Sequence, residues 1–157
     1  MPETSARTVT TIGLIAFLAF IPIAGAISDR IGRKPLLMGS CIGYILLTFP
    51  LFWMASLGSF ALSLVAQLVL VFMLAFYVGP GPATFAEIVP TPVRYTALSV
   101  GFNTIVAAFG GTTPFVAASL IRLTGSSLAP SLYVIAAAAV TLLVLRPMKE
   151  TAFTPLG

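Results

Sequence analysis

Residue types that metal sites and disulfide-linked domains need are almost missing from this sequence. It has no histidine and one cysteine, Cys41, so a disulfide framework is excluded and a zinc site or a histidine-based active site is disfavoured. Cys41 lies in an apolar run, where we interpret it as a small buried hydrophobe. We therefore expect no metal and no cofactor.

Charged residues are also scarce. They make up 8% of the chain, against roughly 25% of an average soluble domain. The eight basic and four acidic residues give a net charge of +4, but the basic residues stand near segment ends rather than together on one face. Nucleic-acid binding needs a clustered basic face, so we expect no nucleic-acid partner.

The charges leave four long stretches without any charged residue. These stretches have 21, 52, 27 and 23 residues and cover residues 8–28, 35–86, 95–121 and 123–145. A spanning helix needs about 20 mostly apolar residues, and the longest stretch is divided by a turn at residues 56–59. We therefore predict an all-α membrane protein, a single transmembrane domain over residues 1–157 surrounded by the lipid bilayer. Its five transmembrane helices are predicted at residues 9–27, 36–55, 60–86, 92–121 and 128–145.

Prolines and glycines set the predicted boundaries. Pro35 and Pro92 stand at first-turn positions, where a missing N–H loses no hydrogen bond, and Thr91 suits an N-cap. In the third helix, residues 79–82 read GPGP, which predicts a kink or a break. At membrane depth a break is tolerated only where it faces protein or a water-filled cavity.

The Lys and Arg residues predict an orientation. Cytoplasmic loops hold an excess of these residues, and the loops on one side of the predicted bundle carry six of them against two on the other. Five helices then place the N-terminus outside and the C-terminus in the cytoplasm. The first side has Arg30, Arg33, Lys34, Arg94, Arg146 and Lys149, and the second has Arg7 and Arg122.

Two loops carry the sharpest local patterns. Residues 25–34 read GAISDRIGRK and residues 87–94 read EIVPTPVR. A loop that joins two helices at the cytoplasmic face explains the basic residues of the first pattern, but not Asp29 or the spacing of Gly25 and Gly32. Gly25 would let another backbone approach the first helix, and Gly32 would relax the turn.

The first pattern resembles the signature loop of the major facilitator superfamily, G-x-x-[AS]-D-R-x-G-R-[RK]. The second resembles the E-x-x-P-x-x-x-R element between the tenth and eleventh helices. Farther on, Asn103, FGGTTP at residues 109–114, TGS at 124–126 and LAP at 128–130 are similar to the end of the metabolite:proton symporters, relatives of the proline/betaine, α-ketoglutarate, citrate and shikimate carriers. The resemblance runs from about Thr10 to Thr151. It implies helices eight to twelve of a twelve-helix transporter, without the six-helix N-terminal half and the seventh helix.

The function that the resemblance implies is proton-coupled symport of a small carboxylate or zwitterionic metabolite across the bacterial inner membrane. Its partners would be that substrate, protons and the missing N-terminal half. No ionisable residue lies deep in a predicted span, so we expect the coupling proton site in the missing part. The chain alone is expected to be inactive in transport.

A cytoplasmic gating motif is also implied by the resemblance. Asp29 is expected beside Arg94 at the start of the fourth helix, and Glu87 is expected to pair with Arg30 or Arg33. The alternative is that these are ordinary helix-end charges. The implied gating residues are Gly25, Asp29, Arg30, Gly32, Arg33, Lys34, Glu87 and Arg94.

Polar groups inside the spans are candidates for substrate contacts. They are Gln67 and Tyr77 on the third helix, which corresponds to a cavity-lining helix of the family, and Asn103 and Thr112 on the fourth. For each of them the alternative is a hydrogen bond between helices.

A small accessory membrane protein of a larger complex is the alternative function. It would tolerate neutralisation of Asp29, Glu87 and Arg94. We expect no enzyme, because a membrane-embedded enzyme needs an acid/base or nucleophile cluster, and Asp29 and Glu87 are explained by the loop motifs. A channel would show a polar or charged ring, and the sequence contains none.

Overall fold

The computed structural model describes residues 3–150, and within this range it contains helices and no strand. The predicted all-α fold class is confirmed. Four helices are long and apolar enough to cross a membrane, and the fifth, with 17 residues, lies at the lower end of the spanning range of about 17–25. The helices are α1 (Glu3–Ile31), α2 (Arg33–Ser56), α3 (Phe60–Ile88), α4 (Thr91–Thr124) and α5 (Ala129–Leu145).

Three of these helices end at a glycine with a positive φ angle, namely Gly32 after α1, Gly58 after α2 and Gly125 after α4. Gly32, at φ +114°, is the single residue between α1 and α2, and its N–H donates to the carbonyl of Ser28 at 2.9 Å. Gly125, at φ +68°, follows α4 and donates to the carbonyl of Ile121 at 2.8 Å. Because residues with a Cβ adopt this conformation only with strain, the turns are fixed by the glycine positions.

Helix α3 is broken where the sequence reads GPGP. Its two segments are Phe60–Val78 and Gly81–Ile88. The N–H of Gly79 still donates to the carbonyl of Ala75 at 2.8 Å. A Cβ at Gly79 would lie 3.0 Å from the carbonyl oxygen of Ile21 on α1, so the break faces a neighbouring helix at close range.

Helix α4 is the least regular of the five. It contains two π-helical turns, Leu98–Phe102 and Val106–Gly110, on either side of the short α-helical segment Asn103–Ile105. No residue of α4 is buried in this chain. Most contacts between α4 and the other helices come from its last segment, Gly111–Thr124, which packs on α5.

The first segment of α3 lies between α1 and α2 and packs along both, and α2 also packs along α5. Glycines allow the close approaches. A Cβ at Gly13 would lie 2.8 Å from Cγ of Gln67, and a Cβ at Gly43 would lie 2.7 Å from the sulfur of Met73. Two small groups of buried side chains pack together between helices. These are Leu37, Cys41 and Leu145 between α2 and α5, and Leu51, Ala66 and Met73 between α2 and α3.

Candidate functional site

Charged groups from four parts of the chain meet where α1 turns into α2. They come from the end of α1, the start of α2, the end of α3 and the residues after α5. We call this group the charged cluster. Its members are Ser28, Asp29, Arg33, Glu87 and Glu150.

Arg33 is the centre of the charged cluster. Its Nη2 lies 3.1 Å from Oε1 of Glu87, and its Nε donates to the same oxygen at 3.3 Å. Its Nη1 donates to Oδ1 of Asp29 at 2.5 Å and to the hydroxyl of Ser28. The Arg33 side chain is 11% exposed and that of Glu87 is 15% exposed, whereas Asp29 is 63% exposed. Solvent therefore screens the Arg33–Glu87 pair less than the Arg33–Asp29 pair.

The carboxylate of Glu87 is only half satisfied. Its Oε2 is buried and has no hydrogen-bond partner among the described residues. A buried polar atom without a partner costs roughly 1–3 kcal/mol. Glu87 therefore keeps one acceptor atom that could bind a further donor.

Glu150 caps the start of α2. Its Oε1 accepts the N–H of Arg33 at 2.8 Å and its Oε2 accepts the N–H of Lys34 at 3.1 Å. The Nζ of Lys34 donates to the carbonyl of Arg146 at 2.8 Å, which ties the end of α5 to the same place. A Cβ at Gly32 would lie 2.6 Å from Oε2 of Glu150, so glycine leaves the space that the carboxylate fills.

Sequence reasoning missed Glu150 and Ser28. The start of α2 could have pointed to such a residue. Its first N–H groups have no local acceptor, because the first turn of α2 has no acidic residue and Gly32 has no side chain to cap it. The sequence could not say which of the four acids would supply that acceptor.

Asp29, Arg94 and Gly25 do not make, among the described residues, the contacts that were expected of them. Arg94 donates from Nε to the carbonyl of Val89 at 3.1 Å, and within residues 3–150 no ion pair joins it to Asp29. Asp29 pairs instead with Arg33, which is four residues farther along the chain, beyond the turn at Gly32. Arg30 is exposed, and a Cβ at Gly25 would meet no atom within 4 Å, so among residues 3–150 no other backbone makes the close approach expected at Gly25.

The four substrate-contact candidates do not come together. Gln67 packs against Gly13 in the interface between α1 and α3. Tyr77, on α3, and Thr141, on α5, line a cavity of about 200 Å³ between α2, α3 and α5. Thr112 is exposed on α4, and its hydroxyl donates to the carbonyl of Ala108 at 2.5 Å.

Asn103 lies at a cavity of about 280 Å³ between the second segment of α3 and the first π-helical turn of α4. We call it the aromatic cavity, because two of its walls are the rings of Phe85 and Phe102, with centroids 6.5 Å apart and planes at 67°. The π-helical turn, which the sequence did not predict, ends at Phe102 and so precedes Asn103 directly. The lining residues are Pro82, Phe85, Leu98, Ser99, Phe102 and Asn103.

Residues 2–157 match a family described as "Sugar (and other) transporter". The chain belongs to this family of the major facilitator superfamily. Among its relatives, an ectoine/proline transporter of Corynebacterium glutamicum is 30% identical over 152 residues, which are 97% of this chain and 30% of the relative. A citrate-proton symporter of Salmonella typhi is 34% identical over 128 residues, 81% of this chain and 29% of the relative.

A proline/betaine transporter of Escherichia coli (strain K12) is 32% identical over 143 residues, 91% of this chain and 28% of the relative. The chain therefore spans less than a third of the length of these relatives. No solved structure gives a significant match. The resemblance drawn from the two loop patterns, to the metabolite:proton symporters of this superfamily, is confirmed.

Proposed function

We propose that the chain is the C-terminal part of a secondary transporter that carries a small carboxylate or zwitterionic metabolite together with protons. The family match and the names of the relatives, which include proline, betaine and citrate-proton carriers, support this proposal. The transporter would lie in the bacterial inner membrane, with the start of this chain outside and its end in the cytoplasm. It would not be an enzyme.

In this proposal the chain works as part of a larger assembly that includes an N-terminal half. Secondary transporters of this kind move two halves around a site near the middle of the membrane. The chain matches less than a third of its relatives, and none of the residues of α4 is buried. The charged residues of the described range lie near helix ends, so the coupling proton is carried in the N-terminal part. The chain alone does not transport.

The charged cluster is the proposed gate, and the Arg33–Glu87 pair is the observation that carries it. This pair joins α2 to the second segment of α3 just beyond the break, at 3.1 Å and largely out of solvent. Exposed ion pairs are worth about 0–1 kcal/mol, but removing one partner of a buried pair costs about 3–5 kcal/mol. In the proposed gate, Oε2 of Glu87 accepts a donor from the N-terminal part in one of the two transport states.

Co-expression with an N-terminal partner tests the function. The chain would be produced alone, and also together with the portion of the Escherichia coli proline/betaine transporter that precedes the matched section. Proteoliposomes with an inward proton gradient would then be supplied with radiolabelled proline, glycine betaine and citrate. We expect uptake of at least one substrate by the co-purified assembly, abolished by a protonophore, and none by the chain alone.

Two results would contradict this proposal. Uptake by the chain alone would show that it needs no partner half. A co-purified assembly that carries none of the three substrates under a proton gradient would refute the proposed symport.

A further inference from the structure

Hydrogen bonding in the middle of α4 follows no single register. The N–H of Asn103 donates to the carbonyls of Ser99 and Val100, four and three residues earlier, whereas the N–H of Val106 donates to the carbonyl of Asn103, three residues earlier. The two π-helical turns stand on either side, and a π turn bonds residues that are five apart. Three bonding patterns therefore alternate within residues 98–110, which we call the mixed segment.

The backbone of the mixed segment is close to that of an α-helix. Phe102 has φ −63° and ψ −48°, and Gly110 has φ −64° and ψ −43°. The α-helix has about −63° and −42°. The bonding pattern can therefore change while the backbone angles remain in the helical region.

Packing holds the mixed segment only weakly. Every residue from 99 to 115 is exposed within this chain. Among the described residues, a Cβ at Gly101 would meet no atom within 4 Å, and one at Gly110 would meet Val106 of the same helix at 3.8 Å. The ring of Phe85 approaches at Phe102, with centroids 6.5 Å apart, but Phe102 is still 49% exposed. Neighbouring helices therefore do little to fix the register.

Polar side chains of α4 itself bond to carbonyls of the mixed segment. The amide of Asn103 donates to the carbonyl of Ser99 at 2.7 Å, and the hydroxyl of Thr113 donates to that of Phe109 at 2.5 Å. In lipid every backbone carbonyl needs a donor from the protein. Because these side chains supply donors beside the backbone N–H groups, a change of register need not leave a carbonyl without a partner.

A change of register in the mixed segment would turn one end of α4 against the other. A π turn holds one residue more than an α turn, so its conversion rotates the flanking segments relative to each other by about 100° and shifts them by about 1.5 Å. Gly111–Thr124 packs on α5, whereas Arg94–Ala97 has no buried residue. The rotation would therefore move Arg94–Ala97 and leave Gly111–Thr124 in place.

We propose that the mixed segment is a register switch, which changes between the bonding seen here and a continuous α-helix. The switch is a property of this chain and goes beyond the proposed function, because it depends on no substrate and no proton. In the assembled transporter, contacts of α4 with the proposed N-terminal half select one register, and the start of α4 rotates as they change.

Distances between pairs of spin labels test the switch in the chain alone, reconstituted in lipid nanodiscs. Cys41→Ser removes the native cysteine, and Leu143→Cys on α5 carries the reference label. The second label is at Tyr95→Cys, before the mixed segment, or at Leu123→Cys, after it. All three label positions are at least 61% exposed. We expect two distance maxima for the pair 95–143 and one maximum for the pair 123–143.

Deletions separate a switch from a helix that merely swings. Deletion of Val100 and Ala107, one residue from each π turn, leaves the residues of a continuous α-helix, so the pair 95–143 should lose one of its two maxima. Deletion of Thr96 and Ala97 is the matched control, because it leaves the mixed segment intact and both maxima should persist. An unchanged distance for the pair 123–143 shows that each variant is folded.

Two results would overturn the register switch. One is a single maximum for the pair 95–143 in the chain without deletions. The other is a distribution that stays equally broad after deletion of Val100 and Ala107, since a flexible arm behaves in this way. Neither result depends on uptake of a substrate, so the proposed function stands or falls by its own experiment.

Discussion

The carboxylate of Glu150 caps a helix that begins at Arg33, 117 positions earlier in the chain. It accepts two backbone N–H groups that the start of α2 would otherwise leave without an acceptor. The cap therefore joins the segment after α5 to the loop between α1 and α2. The positive end of the α2 dipole also favours a carboxylate at this place.

Removal of the Glu150 carboxylate should destabilise the chain. We expect Glu150→Ala to lower the free energy of unfolding by about 0.5–2 kcal/mol, the usual effect of losing an N-cap. Glu150→Gln should lose less, because an amide oxygen still accepts a hydrogen bond. Thermal unfolding in detergent measures both variants. Glu3→Gln is the control, since the partner of Glu3 among residues 3–150 is the exposed Arg7, and an equal loss there would contradict the cap.

The Arg33–Glu87 pair should show strong coupling in a double-mutant cycle. We expect Arg33→Ala alone to cost about 3–5 kcal/mol, because it leaves the Glu87 carboxylate poorly solvated and unpaired. Combined with Glu87→Gln, the loss should be smaller than the sum of the two single losses. The same cycle at Arg7 and Glu3, which are 78% and 83% exposed, should give about 0.3–0.5 kcal/mol. Additive losses at Arg33 and Glu87 would show that the two side chains have no interaction free energy.

Gly32 should tolerate no side chain. Gly32→Ala places a Cβ 2.6 Å from Oε2 of Glu150 and forces a residue with a Cβ to adopt φ +114°. We expect a loss of at least about 1–3 kcal/mol. Gly39→Ala is the matched control within α2, where a Cβ meets nothing within 4 Å and alanine should stabilise the helix by about 0.5–1 kcal/mol. Similar melting temperatures for the two variants would be inconsistent with the observed turn.

Glu87 should influence the gate more than Asp29 does. In the co-purified assembly we expect Glu87→Gln to shift the distribution between outward-open and inward-open states, because the Arg33–Glu87 pair is largely buried. Asp29→Asn should shift it less, since Asp29 is 63% exposed. Distances between spin labels on the two halves report the distribution. A larger shift for Asp29→Asn than for Glu87→Gln would refute the gate proposed around Glu87.

Local signals in the sequence predicted much of the fold. The apolar stretches predicted helices, and the break at residues 79–82 follows from two prolines and two glycines in four positions. The pairing of Glu87 with Arg33 could be expected because the family pattern fixes both residues near the same end of the bundle.

Features that depend on tertiary contacts could not be predicted in this way. No residue type marks the π-helical turn before Asn103, so the sequence did not indicate that Phe102 would face Phe85. The polarity of Gln67 makes it a candidate for the substrate cavity, but the structure packs it against Gly13 on another helix. Asp29 pairs with Arg33 and not with Arg94, because a partner four residues away across the Gly32 turn needs no packing between distant segments.

The lack of any buried residue in α4 has a consequence for how cells handle this polypeptide. Without a companion half, the amide of Asn103 and the hydroxyls of Thr112 and Thr113 would stand among acyl chains, bonded only within their own helix. Polar groups that face lipid are costly, and chaperones and proteases remove chains that are not stably folded. The lifetime of the polypeptide after synthesis should therefore depend on the supply of the proposed N-terminal half.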